Sequence, residues 1–503
     1  MNSEEHDVRT VGFPSRLVPP DEVEVAVIGA GPTGLTAATM LAAYGIRTVV
    51  LDRAAGPAGH SRAAVIHART LETLEPLGIA DELLRRGVVV SHFGVRDRDR
   101  HLLAVDFNIL PTAHPYTLML QQDQTEHLLR QALRQYGEKV LWGCEVTAVR
   151  QDSTGVDLTV RCAWGSNTIR ARFALGCDGA HSLVREALGI PFEGATYPQS
   201  FVLADVRMRW PLPDDEVQLF FSPEGLVVVA PLPGGQHRVV ATVDEAPHEP
   251  SLADVQALLD ARGPHAPRPR IEEVVWSSRF HVHHKVAAKF REGAVFLCGD
   301  AAHVHSPAGG QGMNTGIQDA ANLSWKLALV LHGHATESLL DSYERERRQV
   351  AMEVVSTTHR LTRLATLRSP VARRFRNVLL AVAGRGGWLP RRLATNLAEL
   401  DIIYHDGWSV DGSTVVERWA PKGDGAVPDL NPAFRLVISK GHESQATAVT
   451  ARYPGAPVRV VARPGLAEAV IVRPDGYVAG RGSPDDHRRL LDLLARALKE
   501  ETP

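Results

Sequence analysis

The feature that most constrains the fold is a glycine-rich turn near the start of the chain. The run Val23-Glu-Val-Ala-Val-Ile28 is short, apolar and β-branched, which is typical of a buried strand, and it leads directly into Gly29-Ala-Gly31-Pro-Thr-Gly34. A helical pattern follows from Pro32 to Tyr44, and Thr48-Val-Val-Leu51 predicts a second strand. Strand, glycine turn, helix and strand in this order predict the beginning of a parallel α/β sheet.

This turn has the spacing of a dinucleotide-binding loop. Gly29 permits the tight turn, Gly31 lets the backbone approach a pyrophosphate, and Gly34 lets the helix pack closely on the strand. Asp52 stands 18 residues after Gly34, at a strand end, where it would accept from a ribose 2′-hydroxyl and repel a 2′-phosphate. The pattern predicts bound FAD or NAD rather than NADP, and a plain glycine turn in a buried sheet is the alternative.

Two further polar turns follow strand-like runs. Gly176-Cys-Asp178-Gly179-Ala-His-Ser182-Leu-Val-Arg185 leads into a helix, and on its own it indicates a binding loop and an ordinary Asp-Gly turn equally well. Asp300 follows the strand-like run Ala294–Cys298, so it would lie where α/β sheets bind ligands and would accept from sugar hydroxyls. A helix predicted to begin near Asn314 offers N–H donors that stabilise negative charge, such as that of a reduced isoalloxazine ring.

Several classes of site are not expected. His303 and His305 form an HxH pair without further ligand spacing, so we predict no metal. The four cysteines include no CxxC pair, which argues against a dithiol redox centre and fits a reducing cytoplasm. Lys and Arg number 55 against 58 Asp and Glu, a net charge of −3, so a nucleic-acid partner is not expected. No apolar stretch approaches the roughly 18 residues of a membrane span, and the acidic start is not a secretory signal.

One segment has an unusual charge. Residues 359–392 contain nine arginines and no acidic residue, which is compatible with a membrane or nucleic-acid patch. We favour a solvated helical face near acidic neighbours, because apolar residues interleave at helical spacing and the net charge of the chain is near zero.

Sequence patterns divide the chain into segments of different predicted structure. Residues 1–21 predict a flexible arm, and residues 22–195 together with 280–400 predict a Rossmann-like α/β domain with a helical extension. Strand-rich residues 196–279 predict an antiparallel sheet inserted into that domain, and residues 401–503 predict a small separate α/β domain.

In this order, the three motifs resemble those of the class A flavin monooxygenases, the p-hydroxybenzoate hydroxylase family. The resemblance runs from about residue 22 to residue 400, and the stretch from His305 to Ala320 is most similar to the aromatic-polyketide hydroxylases and the phenol hydroxylases. It implies that the first domain binds FAD and that the inserted sheet walls the substrate pocket. It also implies a thioredoxin-like C-terminal domain, which we expect to be structural because the last cysteine is Cys298.

The resemblance also implies individual contacts. Asp52 and Arg53 would serve the adenosine, Arg62 the flavin side, and Asp300 the ribityl chain, whereas His181 departs from the usual Arg or Gly. The implied cofactor-binding residues are Gly29, Gly31, Thr33, Gly34, Asp52, Arg53, Arg62, Gln122 (with Gln124 as a rival), Val146, Asp178, Asp300, Pro307, Gly310, Gly312, Met313 and Asn314. The backbone of Pro307, Gly309 and Gly310 would lie nearest the flavin edge, and no catalytic side chain is expected.

The implied activity is FAD-dependent monooxygenation. FAD would take hydride from NADPH or NADH and react with O₂ to give a flavin C4a-hydroperoxide, which inserts one oxygen into an aromatic substrate, expected to be a polyketide of antibiotic biosynthesis. Baeyer–Villiger oxygenation on the same fold and catabolic phenol hydroxylation are alternatives. The motif spacing argues against an NAD-dependent dehydrogenase, and the intact motifs argue against a non-catalytic flavin-binding protein. The expected partners are the aromatic substrate and O₂. No membrane partner is expected, and a homodimer is an alternative to a monomer.

A few residues of the inserted sheet are candidates for lining the substrate pocket. Phe220 and Val228 are candidates for its wall, although a plain core role is favoured for both. Small residues in the inserted sheet, namely Gly225, Ala230 and Gly234-Gly235, favour room for a wide planar ligand with several rings.

Overall fold

The structure is a computed structural model, which describes residues 19–59, 63–163, 165–307, 309–365, 367, 369–413, 415–419, 432–450, 457–483 and 485–499. Most of the arm predicted at residues 1–21 therefore lies outside the described residues. No helix within these ranges has the length and apolar content that crossing a membrane requires.

The helix after the glycine turn and the one predicted near Asn314 are both present. The helices formed by the described residues are α1 (Pro32–Ala43), α2 (Ala68–Leu74), α3 (Ala80–Arg86), α4 (Gln122–Gln135), α5 (Leu183–Ala187), α6 (Leu252–Arg262), α7 (Gly312–Leu331), α8 (Asp341–Ala365), α9 (Pro370–Arg385), α10 (Trp388–Leu397), α11 (Glu443–Thr450) and α12 (His487–Lys499).

The strands are distributed over the whole chain. They are β1 (Glu22–Ile28), β2 (Thr48–Asp52), β3 (Val65–Ile66), β4 (Val88–Val90), β5 (His92–Asp97), β6 (Arg100–Asp106), β7 (Thr117–Met119), β8 (Val140–Trp142), β9 (Glu145–Asp152), β10 (Gly155–Cys162), β11 (Gly165–Gly176), β12 (Phe192–Arg209), β13 (Glu216–Ser222), β14 (Gly225–Leu232), β15 (Gln236–Val243), β16 (Arg270–Ala287), β17 (Arg291–Glu292), β18 (Val295–Leu297), β19 (His303–Val304), β20 (Tyr404–His405), β21 (Val415–Val416), β22 (Phe434–Ser439), β23 (Val458–Arg463), β24 (Ala469–Val472) and β25 (Val478–Gly482).

The first sheet brings the three predicted motifs to one edge. Its strands run in the order β17-β18-β11-β1-β2-β8, and neighbours from β18 to β8 pair in parallel. The central strand β1 is almost wholly buried, as its apolar sequence predicts. Gly29, Asp52, Asp178 and Gly299 stand at or just after the carboxyl ends of β1, β2, β11 and β18. Because parallel strands end at the same edge, the topology places all four at one side of the sheet.

The second sheet is larger than the predicted segment 196–279. Its order is β19-β16-β12-β15-β14-β13-β5-β6, and its only parallel pairing among the described strands joins β13 to β5. The strands β12 and β16 extend to Phe192 and Ala287, and the hairpin β5–β6 comes from the other domain segment. Sequence patterns did not assign this hairpin to the second sheet, because Glu216 pairs with His92 across a long stretch of chain.

The C-terminal segment forms a four-stranded sheet of order β23-β22-β24-β25. The first pair is parallel and joined by α11, the other two pairs are antiparallel, and α12 follows β25. Its core is shared with the first domain, because Phe434 and Leu436 pack in one cluster with Trp325 and Leu329 of α7.

The four cysteines fall into one bonded pair and two free thiols. Cys144 and Cys162 form a disulfide, whereas Cys177 and Cys298 are free thiols. The antiparallel pairing of β9 with β10, which sets Glu145 opposite Arg161, brings the two oxidised cysteines together. A search for CxxC spacing does not detect such a cross-strand pair.

Candidate cofactor site and active site

The glycine turn between β1 and α1 is shaped for close approach of backbone to a ligand. Gly29 has a φ of +104°, and a Cβ there would overlap the carbonyl oxygen of Cys177. A Cβ at Gly34 would overlap the carbonyl oxygen of Gly29, so α1 packs directly on the turn. At Gly31, by contrast, a Cβ would meet nothing within 4 Å. This open space beside the N-terminus of α1 fits a pyrophosphate, for which the free N–H groups are donors.

Asp52 braces the same turn. Its Oδ2 accepts from the N–H of Ala30 at 2.7 Å, and its Oδ1 accepts from the N–H of Ala54 at 2.8 Å. Each carboxylate oxygen can accept more than one hydrogen bond, so both keep capacity for a hydroxyl group. Asp52 therefore combines a structural role with the predicted position for binding a ribose.

Asp178 presents an unsatisfied oxygen at this edge. Its Oδ2 accepts from the N–H of Val184 at 3.1 Å, but its buried Oδ1 has no hydrogen-bond partner among the described residues. Burial raises the pKa of Asp178 above its ordinary value. Arg185 donates to the carbonyls of Ala180 and Ala301, each at 3.0 Å, and so joins this turn to the segment after β18. A buried oxygen without a partner fits a ligand that donates a hydrogen bond.

The segment after β18 and the start of α7 form the other side of the site. Asp300 is exposed in the middle of a single 3₁₀ turn, Gly299–Ala301. The helix α7 begins at Gly312, slightly before the predicted Asn314, and its first N–H groups have no acceptor within the helix. Thr33 packs against α7, because a Cβ at Gly299 or Gly316 would contact its hydroxyl oxygen. Close packing is thus the role that the contacts of Thr33 indicate.

Asn314 closes the loop that precedes α7. Its Nδ2 donates to the carbonyls of Val65 at 2.9 Å and Gly310 at 2.7 Å, and its Oδ1 accepts from the N–H of His67 at 2.9 Å. The side chain is therefore engaged within the protein, which leaves the backbone N–H as the group that Asn314 can offer to a cofactor.

His67 supports this loop and was missed by the sequence analysis. Its Nε2 lies 2.8 Å from the carbonyl oxygen of Gly309, and Nδ1 lies 3.4 Å from the Thr117 hydroxyl. Burial lowers the pKa of His67 to about 4, so the ring is neutral near pH 7 and Nε2–H is the donor to Gly309. A single histidine after a short strand gives no motif, and only the folded structure places it against the loop.

His303 and His305 are held by different partners. Nε2 of His303 lies 2.7 Å from Oδ2 of Asp319, whose Oδ1 accepts from Nε of Arg347 at 2.6 Å. Burial opposes ionisation of Asp319, but Arg347 and His303 outweigh it and lower the pKa of this carboxyl. Burial and His303 lower the pKa of His305 to about 4, and its buried Nε2 has no partner among the described residues. No group of three metal-ligating side chains occurs within the described ranges.

The other implied contacts are scattered around this edge. Arg53 is exposed just after β2, Val146 is buried in β9, and Met313 is buried in the first turn of α7. Arg62 lies outside the described residues. The roles of these four residues toward a cofactor stay predictions.

Gln122 and its rival Gln124 face different surroundings. The backbone of Gln122 donates to the carbonyl of Ala63 at 3.0 Å, whereas the side-chain oxygen of Gln124 accepts from Arg86 at 3.3 Å. Gln124 also borders a cleft of about 390 Å³ between the two domains. Its other lining residues include Arg86, Gln121, Asp205, Arg238 and Trp276.

The two faces of the second sheet separate core from pocket. Phe220 is fully buried on the face covered by α6, in a cluster with Val227, so it is not a pocket residue. Val228 lies on the opposite face, because neighbouring strand residues alternate. That face also carries Phe201 and Phe280, whose rings stack with centroids 5.9 Å apart.

This opposite face packs on α10 around Val228 and approaches the loop before α7 around Ala230. Ala230 packs in one cluster with Ala64, next to β3, and a Cβ at Gly310 would contact Val65. Gly225 begins β14 beside Thr242 and Arg262, and Gly234-Gly235 lie in the turn between β14 and β15, so these glycines do not widen this face, contrary to the expectation. Ala230 is the small residue of that set which faces the first domain.

Comparison with known proteins agrees with this geometry. Residues 22–358 match the family described as "FAD binding domain". The 6-methylpretetramide 4-monooxygenase of Streptomyces rimosus is 41% identical over 357 residues, which are 70% of this chain but only 64% of that protein, less than two thirds of its length. The 12-dehydrotetracycline 5-monooxygenase/anhydrotetracycline 6-monooxygenase of a Streptomyces rimosus strain is 32% identical over 507 residues, covering 92% of this chain and 96% of that protein. The solved anhydrotetracycline hydroxylase of Streptomyces rimosus has a TM-score of 0.77 at 30% identity and covers 96% of this chain and 100% of its own.

Proposed function

Because the chain belongs to the family of FAD-binding class A monooxygenases, we propose that it binds FAD and uses NADPH or NADH to insert one oxygen atom of O₂ into an aromatic substrate. The observation that carries this proposal is that three features suited to a nucleotide lie together at one edge of the first sheet. These are the space before Gly31, the unpartnered Oδ1 of Asp178, and the N–H groups that begin α7. They suit the phosphates, hydroxyls and ring of an elongated nucleotide.

The cofactor, when bound, supplies the hydride transfer and the oxygen chemistry. The protein's own contribution is positioning. The turn at Gly29–Gly34 and Asp52 hold the nucleotide end, and the backbone N–H groups that begin α7 stabilise negative charge on the ring. The Nε2–H group of His67 donates a hydrogen bond to the Gly309 carbonyl and so holds the loop before α7 in place. The apolar face around Phe201 excludes water from the substrate side.

We further propose a multi-ring aromatic substrate of the polyketide type. One relative is named as a monooxygenase of 6-methylpretetramide and another as a monooxygenase of 12-dehydrotetracycline and anhydrotetracycline. The loop stretch His305–Ala320 also resembles that of the polyketide hydroxylases. The stacked pair Phe201 and Phe280 on the pocket face offers a flat apolar wall that suits a planar ring system. A one-ring phenol would cover less of this wall and be positioned more loosely.

The domain assignment belongs to the same proposal. Residues 22–195 and 280–400 would form the FAD domain, residues 196–279 the main part of the substrate sheet, and residues 401–503 a structural domain of thioredoxin-like topology. The strand order β23-β22-β24-β25 with a parallel first pair supports the last assignment. The supply of NAD(P)H favours a cytoplasmic location, and a homodimer is compatible with these features.

The test is a visible spectrum of the purified protein followed by a substrate panel. We expect bound flavin, and NAD(P)H oxidation stimulated by polycyclic aromatic ketones, with product formed in proportion to the NAD(P)H consumed. Simple phenols should raise oxidation mainly with release of peroxide. The product's structure separates ring hydroxylation from the ester of a Baeyer–Villiger reaction. A colourless protein that does not take up FAD contradicts the proposal, and tight coupling with simple phenols alone contradicts the substrate class.

A further inference from the structure

Helix α9 carries a row of large apolar side chains on its outer side, while Leu380 packs inward beside two polar side chains. Inward, the guanidinium of Arg376 lies 3.9 Å from the ring centroid of Phe221, and Nδ2 of Asn377 donates to Asp97 at 2.7 Å. Outward, large apolar side chains are 55–78% exposed; they are Val371, Phe375, Val378, Leu379, Val382 and, at the start of α10, Trp388. We call this set the α9 face. A helix packed on a protein core is expected to bury most of its large apolar side chains, so this exposed row is unusual.

The α9 face is continuous along the helix. Val371, Phe375, Val378 and Val382 follow at steps of four, three and four residues, which places them in one line roughly 17 Å long. Exposed apolar residues that occur singly need no explanation, whereas a contiguous patch of this kind marks an interaction site. The exposed arginines fit the sequence interpretation of a solvated helical face, but that interpretation did not predict that large apolar side chains lie exposed among them.

The charge around the face restricts its partner. The nine arginines of residues 359–392 have no acidic residue among them. The exposed ones are Arg360, Arg363, Arg374, Arg385, Arg391 and Arg392, of which Arg374 and Arg385 lie on α9 itself. The guanidinium of Arg392 lies 5.6 Å from the ring centroid of Trp388 at one end. A second copy docking through the same face would bring two such arginine clusters together, which costs free energy.

We propose that the α9 face docks on the surface of a bilayer that contains anionic phospholipid. A convex helix with apolar side chains between arginines matches a helix lying in the membrane interface, with its apolar side among the acyl chains and its arginines at the phosphates. A protein partner would have to supply an acidic groove around the helix. The tryptophan at the end of the face is a residue type favoured at the membrane interface.

The test uses the full chain loaded with FAD and sedimented with vesicles. Vesicles of phosphatidylcholine mixed with phosphatidylglycerol should bind it, phosphatidylcholine alone should bind it weakly, and added salt should release it. The pair Arg374→Gln and Arg385→Gln should weaken binding by roughly five-fold for each arginine lost. The pair Phe375→Ser and Val378→Ser should weaken it as well. All of these side chains are exposed, so FAD content and thermal stability should stay unchanged.

Matched controls carry the same changes elsewhere on the surface. Arg488→Gln with Arg489→Gln on α12, and Leu252→Ser with Val415→Ser, alter exposed residues outside the face and should bind vesicles like the unaltered chain. Equal vesicle binding by the variants of the α9 face and by the control variants would overturn the proposal. The proposal would also be overturned if the chain did not bind the anionic vesicles and instead formed a dimer that Phe375→Ser and Val378→Ser dissociate. The α9 face would then contact a second copy of the chain.

Discussion

Glu399 is a buried carboxyl that the surrounding protein keeps protonated. Its side chain accepts from the amide of Gln318, while its Oε1 and the Oε1 of Gln318 have no partner among the described residues. Burial raises the pKa of Glu399 to about 8 from an ordinary 4.5. The contribution of Glu399 to the free energy of unfolding is therefore fully present below about pH 4.5, and it is lost as the pH rises through about 8.

Glu399→Gln should remove that pH dependence. Glutamine resembles the protonated acid, so we expect little change in the free energy of unfolding at pH 5 and a gain on the order of 1 kcal/mol or more at pH 8. Denaturant unfolding at both pH values is the measurement. A loss of stability at pH 8 would show that Glu399 is ionised in the native state.

Asp52 is expected to determine the affinity for FAD. Replacing it with alanine removes the acceptor for the predicted ribose hydroxyl and for the N–H groups of Ala30 and Ala54. A charge-assisted hydrogen bond contributes about 1.5–3 kcal/mol, so titration of the apoprotein with FAD should show roughly ten- to hundred-fold weaker binding. Glu22→Ala, at the exposed start of β1, serves as the control. Unchanged affinity in Asp52→Ala contradicts the assignment.

At the scale of elements, the loop before α7 depends on β3 and the start of α2. His67→Ala leaves the Gly309 carbonyl without its donor, which costs about 1–3 kcal/mol where the carbonyl is buried and loosens the loop. We expect more peroxide for each NAD(P)H consumed, with FAD affinity changed much less than in Asp52→Ala. His67→Gln retains an N–H donor and should restore part of the coupling.

The pH profile separates this positioning role from a proton-transfer role. Because burial lowers the pKa of His67 to about 4, the ring stays neutral from pH 6 upward, and coupling should be flat with pH in that range. A loss of coupling in His67→Ala that appears only on one side of neutral pH would contradict the positioning role.

Elements with local signals were predictable, and those with distant partners were not. The turn at Gly29–Gly34 and the helix after Gly312 follow from local spacing, because glycine geometry and helical periodicity are properties of short segments. The pairing of β5 with β13 and the contact of His67 with Gly309 join residues that are far apart in the chain. No local pattern encodes them, and the same holds for the direction in which α9 points its apolar side.

At the scale of the whole molecule, a buried ion cluster fastens the C-terminal sheet to the first domain. Arg473, which follows β24, donates to both carboxylate oxygens of Glu346 on α8, at 2.7 and 2.9 Å. Glu346 also accepts from Lys326 on α7 at 2.8 Å. All three side chains are inaccessible to solvent. Breaking such a cluster leaves a charge that burial makes costly.

Arg473→Met should therefore destabilise the whole chain strongly. Removal of one partner from a buried ion pair costs about 3–5 kcal/mol, which should appear as a large drop in the Tm of the FAD-loaded protein. The control is Arg481→Met, because Arg481 pairs with Glu468 at the half-exposed surface, where a pair is worth about 0–1 kcal/mol. Equal Tm values for the two variants would show that the cluster does not join the domains.

The alternation along β14 gives a rule for changing which molecules the protein accepts. Val227 and Val229 belong to the core under α6, so replacing them would damage folding before it altered selectivity. Val228 and Ala230 lie on the opposite face, where Val228 packs with β6 and α10 and Ala230 packs with Ala64 of the first domain. A mutant library restricted to such alternate positions on β14 and its neighbours would sample new ligand shapes while leaving the scaffold intact. Directed evolution of a new specificity could thus proceed with few non-folding clones.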